Sequence, residues 1–302
     1  MQLSAFFNLI RWKNLLLIIY IQIAIKFLFF PNFDIGTNLT NFQFFILLLA
    51  ILSITAAGYI INDIFDIETD KINKPKKLII SVIFNEETAK RWYLYLNTIG
   101  IFFGIFICLK IEKPSLSFIF IGAALLLYYY SKKLKSLPLI GNLIVALLVS
   151  INVLILLIFD LNTTGSVTNL NYVKTTILIV TFFAFCINFI RELVKDIEDI
   201  NGDYKLKMNT LPILIGIKRT KNIISILCVF LIFLLVLFLN YFTSGQIVIS
   251  LYIIVFILLP ILYVTIKINK AKSQKKIHTI SSLLKLVMFF GINILIILSI
   301  IH

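Results

Sequence analysis

Nine apolar runs of near membrane-spanning length recur along this chain, and they limit its fold more than any other feature. They cover residues 15–30, 42–61, 92–109, 116–130, 139–159, 172–190, 222–242, 246–266 and 282–301. About 20 apolar residues in a helix cross the hydrocarbon core of a bilayer. In that core every backbone N–H and C=O needs an internal partner, which leaves only helices and closed barrels. A barrel requires roughly ten-residue segments of alternating polarity, and these are absent. The chain is therefore expected to be an all-α membrane protein, about nine transmembrane helices in one bundle, forming a single domain over residues 1–302. The 60% hydrophobic content exceeds the roughly 45–50% of soluble proteins. The first run does not read as a cleaved signal. Arg11 and Lys13 supply the positive start, but Lys26 and large aromatics stand where a small-residue cleavage site would be. Cys108, Cys186 and Cys228 all lie inside runs without metal-ligand spacing, so they read as buried apolar side chains.

The charges give the bundle its sidedness. Lys and Arg total 28 against 14 Asp and Glu. Such an excess suits nucleic acid, but its distribution points elsewhere. The N-terminus and the segments 62–91, 131–138, 191–221 and 267–281 hold 23 of the 28 basic residues. The opposite connections are nearly uncharged, and 31–41, 160–171 and 243–246 hold no Lys or Arg. Basic connections stay on the inner side of a membrane. The N-terminus and these four segments are thus expected to face the cytoplasm, with the chain in the cytoplasmic membrane and no nucleic-acid partner. The stretch 267–281 reads as a basic loop that sets topology and contacts anionic lipid.

Nine of the 14 acids fall in two stretches on that same side. NDIFDIETD places Asn62, Asp66 and Asp70 at steps of four, and RELVKDIEDINGD places Glu192, Asp196, Asp199 and Asp203 at steps of four, three and four. Each ends a long apolar run, and four runs separate them, so they can share a substrate. On a helix the first set forms a ladder about 12 Å long on one face. Gly58 and Ala56–Ala57 before it allow close helix approach. Pro75 is expected to end that helix and Asn201-Gly202 to end the second, leaving Asp203 in the turn. Stacked like charges disfavour an isolated helix, and a bound cation makes such a ladder tolerable. The bland alternative for the first cluster is a solvated helix end whose acids pair with Lys71, Lys74, Lys76 and Lys77.

Acids interleaved with bases suit a magnesium–diphosphate complex. Mg²⁺ bridges carboxylate and phosphate oxygens, while Lys and Arg neutralise the remaining charge. A ligand set of oxygens without His or Cys favours Mg²⁺. A charge at mid-bilayer costs roughly 2.5–3.5 kcal/mol or more, so these acids must line a wet cavity or lie at the interface. A third polar stretch, YYYSKKLKSLPLIGN at 128–142, sets Tyr128 four residues from Lys132 and Ser131 four from Lys135. A lysine here can reach a diphosphate; equally, the stretch reads as belt tyrosines with topology-setting lysines.

On these residues the chain resembles the UbiA-type intramembrane prenyltransferases over nearly its whole length. That family carries Asn-x-x-x-Asp-x-x-x-Asp after its second helix, matched by Asn62, Asp66 and Asp70, and Asp-x-x-x-Asp after its sixth, matched by Asp199 and Asp203. KDIEDINGD followed by NTLPILIG, with NDIFDIETDKINKP, is most similar to the digeranylgeranylglyceryl phosphate synthase branch. Homogentisate prenyltransferases and chlorophyll synthases share much of this wording. Where the family usually continues Asn-Arg-Pro-x-Arg-Pro, this chain has Asn73-Lys74-Pro75-Lys76-Lys77-Leu78. Lysine keeps the charge but loses bidentate phosphate geometry.

The resemblance implies a cytoplasm-facing active-site cavity and Mg²⁺-dependent transfer of a polyprenyl group from its diphosphate to a lipid or aromatic acceptor. For the branch, these are a geranylgeranyl group and geranylgeranylglyceryl phosphate. It assigns Mg²⁺ to Asp66, Asp70, Asp199 and Asp203, with Asn62 and Asp196 assisting. Tyr128 and Lys132 match the family's Tyr-x-x-x-Lys pattern, so the diphosphate falls to Lys132 as the catalytic cation, with Lys135 competing for that role and Asn62, Tyr128, Lys74, Lys77, Arg191 and Lys195 around it. Prenyl transfer in quinone, haem or chlorophyll-type biosynthesis is the alternative within the family. A secondary transporter or cation exchanger is the rival from another class, favoured by the half-chain echo of Asp66 and Asp199. Transporter acids lie near mid-membrane, whereas these lie at helix ends. A non-catalytic scaffold leaves both clusters unexplained, and the Asp-Gly-x-x-Ala-Arg element of phosphatidyl-type alcohol phosphotransferases is missing.

Overall fold

The computed structural model describes residues 2–75, 78–162, 166–242 and 246–301. Among the described residues, twelve helical segments follow one another, apart from a short 3₁₀ turn at Leu134–Ser136. They are α1 (Gln2–Leu9), α2 (Trp12–Asn32), α3 (Asn41–Phe65), α4 (Ile67–Asn73), α5 (Glu86–Lys110) and α6 (Pro114–Lys132). Then come α7 (Ile140–Phe159), α8 (Val167–Lys205), α9 (Leu211–Ile215), α10 (Ile217–Tyr241), α11 (Ile247–Ile268) and α12 (Gln274–Ile301). Among the described residues, nine of these are long and apolar enough to cross a membrane: all but α1, α4 and α9. Each contains one apolar run of the sequence, the short 116–130 run included. Two isolated bridges, Thr37 with Leu161 and Ile80 with Phe84, are the extended pairing found among the described residues.

Local chemistry explains the irregularities. The loop before α3 ends in a capping box, with Thr40 accepting from the Gln43 N–H and Gln43 returning a bond to the Thr40 N–H. α2 and α11 each contain one π turn, at Ile25–Phe29 and Ile254–Leu258. Pro31 and Pro260 lie within the following turns. A proline lacks the N–H for the carbonyl four residues back, and a π bulge re-routes that bonding.

Two sequence expectations change. Gly202 does not end α8, which runs on to Lys205 with Asp203 inside the helix. The basic stretch 267–281 is not a single loop: α11 ends at Ile268 and α12 begins at Gln274, so His278 and Ser281 are helical. With 39 residues, α8 is about 58 Å long, more than a bilayer with its headgroups. Its acidic end therefore projects past the apolar zone.

α3 and α8 are the hubs of the two halves. α3 packs on α5 and α6, and α8 packs on α7, α10 and α12. α2 touches α3, α7 and α12 and so closes the ring between the halves. At the end remote from the acid clusters, Lys26 Nζ donates to Asp160 Oδ2 at 2.7 Å and to the Leu39 carbonyl at 2.8 Å. Asp160 Oδ1 accepts from the Leu39 N–H at 2.7 Å. Both side chains are essentially inaccessible, at 2% and 0% exposure. This pair ties α2, the 33–40 loop and the end of α7 together.

Breaking a buried ion pair by removing one partner costs about 3–5 kcal/mol, whereas replacing both by apolar groups is often neutral. Asp160→Leu is accordingly expected to lower the thermal midpoint in detergent sharply, and the Lys26→Met/Asp160→Leu double variant to recover most of the loss.

Candidate active site

The acidic ends of the two hubs are joined by one side chain. Asn73, the last residue of α4, donates from Nδ2 to the Asp199 carbonyl at 2.9 Å and accepts on Oδ1 from the Gly202 N–H at 2.9 Å. A Cβ at Gly202 would stand 2.4 Å from Asn73 Nδ2. Glycine inside α8 is thus the requirement for seating Asn73. The next residue repeats the link through charge, Lys74 Nζ lying 2.8 Å from Asp199 Oδ2.

The first ladder survives a break in its helix. Asp66, at φ −95° and ψ 3°, separates α3 from α4. Even so, its N–H bonds the Asn62 carbonyl at 2.9 Å, and the Asp70 N–H bonds the Asp66 carbonyl at 2.8 Å. Asn62 Nδ2 donates to Asp66 Oδ2 at 2.7 Å, and Lys135 pairs with the other Asp66 oxygen. On α8, Asp196 accepts from Asn142 Nδ2 at 2.9 Å. Glu192 is buried between Lys195 at 2.6 Å and Arg191 at 3.1 Å. Burial and the Asp66 carboxylate push Asp70 up to about 6. Burial opposes charge on Lys74, but the Asp199 carboxylate outweighs it and raises its pKa. A neighbouring carboxylate disfavours the charged form, and an opposite charge within reach favours it.

These groups open into one cavity of about 1790 Å³. Asn62, Asp66, Asp70, Lys74, Lys135, Asp196, Asp199 and Asp203 line its acidic end, and Arg191 and Lys195 also belong to its lining. Ile21, Ile51, Ile54, Phe120, Leu148, Val153, Phe289 and Ile292 line it further along. α2, α3, α6, α7, α8 and α12 supply the spanning walls; α5, α10 and α11 lie behind them.

The third polar stretch divides. Lys132 and Tyr128 are outside the cavity lining, with the exposed Lys132 ammonium 5.6 Å from the Tyr128 ring centre. Tyr128 packs edge-on against Phe65. Helix α6 stops at Lys132, and a 3₁₀ turn over Leu134–Ser136 carries Lys135 back to Asp66. Tyr130 and Lys135 therefore supply this stretch's share of the cavity. Lys77 lies outside the described residues.

Several lining groups carry no motif signal. The Thr69 and Thr210 hydroxyls are buried without a hydrogen-bond partner and line the cavity. Lys285 was legible as a lone charge inside the 282–301 run, and Arg11, which pairs with Asp63 at 2.9 Å, only as a basic flank.

Among the described residues no three His, Cys, Asp or Glu side chains converge closely enough to hold a metal unaided. Asp66 and Asp199 are turned to lysines instead. This donor set still suits magnesium, which takes oxygen ligands, keeps waters and uses one or two carboxylates together with substrate phosphates.

Residues 33–290 match the model of the UbiA prenyltransferase family, and the chain belongs to that family. It is an integral membrane prenyltransferase. The digeranylgeranylglyceryl phosphate synthase of Sulfolobus acidocaldarius is 35% identical over 253 residues, 80% of this chain and 83% of that one. A solved digeranylgeranylglyceryl phosphate synthase structure superposes with a TM-score of 0.66 at 24% identity, over 100% of this chain and 99% of that one. A UbiA homolog from Archaeoglobus fulgidus bound to GPP and Mg²⁺ superposes with a TM-score of 0.56 at 16% identity, over 96% and 99%. The expected all-α membrane bundle and its family are both borne out.

Gly202→Ala should unseat Asn73 and lose about 1–3 kcal/mol for the two bonds. In a double-mutant cycle read by thermal unfolding, Asn73→Ala should then add little to Gly202→Ala. Full additivity would mean that the two residues do not act as one contact.

Proposed function

We propose that this chain, as one domain over residues 1–302, transfers a geranylgeranyl group from its diphosphate to geranylgeranylglyceryl phosphate, using Mg²⁺, at the cytoplasmic face. The observation that carries the reading is the meeting of two aspartate clusters, one from each half of the chain, at the mouth of one cavity with apolar inner walls. The acceptor follows the digeranylgeranylglyceryl phosphate synthases among the relatives. The orientation follows the 23 of 28 basic residues on the acidic side.

Asp66, Asp70, Asp199 and Asp203 are the metal-holding residues in this reading, with Asn62 and Asp196 beside them. Bound Mg²⁺ supplies positive charge where the leaving diphosphate develops its own. Lys135 and Lys74 now neutralise Asp66 and Asp199, and they turn to diphosphate oxygens once the carboxylates have another partner. Lys135 thereby takes the role the sequence pattern gives to Lys132. Heterolysis of the allylic C–O bond leaves its electron pair on the diphosphate. The acceptor hydroxyl oxygen then bonds the allylic carbon and passes its proton to the released diphosphate. The apolar lining keeps water from that cation.

The direct test incubates purified protein with labelled geranylgeranyl diphosphate, Mg²⁺ and a panel of acceptors that includes geranylgeranylglyceryl phosphate and quinone precursors. Asp66→Ala and Asp199→Ala should each abolish turnover, and Lys135→Ala should cost far more than Lys132→Ala. Turnover surviving both aspartate changes would remove the metal assignment. Protonation of Asp70 competes with the metal, so the Mg²⁺ concentration for half-maximal rate should rise as the pH falls below about 6.

A further inference from the structure

The cavity's charges are divided unevenly. Around α4, Lys135 and the end of α8, five aspartates face Lys74 and Lys135. Near the start of α2 and along α12 the balance reverses. Arg11, Lys13, Arg191 and Lys285 line the same cavity, and Lys285 lies within electrostatic reach of the other three cations. Asp63 is engaged by Arg11, and Glu192 by Arg191 and Lys195. Among the described residues no carboxylate pairs with Lys13 or Lys285.

Lys285 is the telling member. It lies 11 residues into α12, about 16 Å along the helix, within a spanning segment where a charge is costly and marks function. The comparison with Lys26 is instructive. Lys26 is also an intramembrane lysine, but it is closed off by Asp160 and a carbonyl. The Lys285 ammonium instead has one neutral partner, Asn14 Oδ1 at 2.8 Å. Asn14 is held in turn by the Tyr59 hydroxyl at 3.2 Å, and the Tyr59 ring carries the Arg11 guanidinium at 4.7 Å. The ammonium is positioned, yet most of its donor capacity is unspent. Arg191 adds a buried Nε with no hydrogen-bond partner.

We infer that the Lys285-centred basic wall, with Lys13 and Arg191, is the subsite for the phosphate monoester of the acceptor, separate from the aspartate site of the prenyl diphosphate. The inference rests on the reading of the acceptor as a prenylglyceryl phosphate. A diphosphate carried with magnesium needs carboxylates around its metal, whereas a monoester without a metal needs cations directly. Two walls of opposite sign hold the two anionic substrates apart and keep each in one orientation. Arg191, grouped with the diphosphate on sequence grounds, moves to the acceptor. Leu17, Ile18, Phe289 and Ile292 continue the lining beside this wall, suited to the acceptor's own prenyl chain.

Steady-state kinetics on the full-length protein separates the two substrates. Lys285→Gln should raise KM for geranylgeranylglyceryl phosphate about ten- to a hundredfold, the loss of one or two charge-assisted bonds. KM for geranylgeranyl diphosphate should stay unchanged, and Lys285→Arg should restore most of the affinity. A rise confined to the diphosphate, or equal for both substrates, would assign the wall to the diphosphate and overturn the inference. Wild-type protein that prenylates only uncharged acceptors would instead sink the acceptor reading itself. Thermal stability with glycerol phosphate then decides the subsite. Stabilisation by glycerol phosphate that inorganic phosphate does not match, and that Lys285→Gln abolishes, supports it. No stabilisation, or the same from both anions in both proteins, removes it.

Discussion

The site depends on the seating of Asn73 against Gly202. Each acid cluster ends a hub helix of a different half of the chain, and nothing in either half alone brings the two together. The Asn73 amide spends a donor and an acceptor on the backbone of α8, at a position without a side chain. A single amide can do this because buried backbone groups demand partners and the geometry is fixed at both ends. Lys74 then adds charge to the same contact. Two clusters of like-charged side chains repel, so a neutral latch flanked by a cation is the arrangement that lets them face one cavity.

The membrane sets the second constraint. Every charge among the apolar helices has to be paired, solvated or committed to a ligand. Lys26 and Asp160 take the first solution and are fully hydrogen-bonded. They fasten the end remote from the aspartates, so the polar part of the cavity belongs to one side. The aspartates take the second and third solutions together: they border an open cavity, and lysines occupy some of their oxygens. The contrast separates charges that hold the bundle from charges that border its cavity, although both kinds look alike in a hydropathy plot.

The fold was legible because the lipid leaves few choices. Apolar length alone identified all nine spans, even at 116–130, where the run is barely long enough. The clusters were legible because Asp66, Asp70, Asp199 and Asp203 repeat at helical spacing. What escaped the sequence was tertiary in origin. Gly202 reads as a helix end, since nothing local reveals that Asn73, 129 residues away, requires it. Lys132 and Lys135 differ only in the 3₁₀ turn between them, whose direction is set by contacts with α7 rather than by spacing. His278 and Ser281 read as loop because the 267–281 stretch is basic, yet the first turns of α12 include both.

The lysine partners of Asp66 and Asp199 also bear on how such a site can work. A carboxylate cluster left without countercharge at the edge of a bundle would push its own helices apart. Lys135 and Lys74 supply that countercharge from flexible stems, one on a 3₁₀ turn and one on the stretch after α4. An ammonium is a point charge that can swing several ångströms at little cost, unlike the planar fork of arginine. Lysine at position 74, where the family pattern carries arginine, therefore exchanges bidentate phosphate geometry for mobility. In the proposed reaction the same side chain holds the aspartates before the diphosphate arrives and meets its oxygens afterwards. Arg191, already fixed by Glu192, is the rigid member of the proposed acceptor wall.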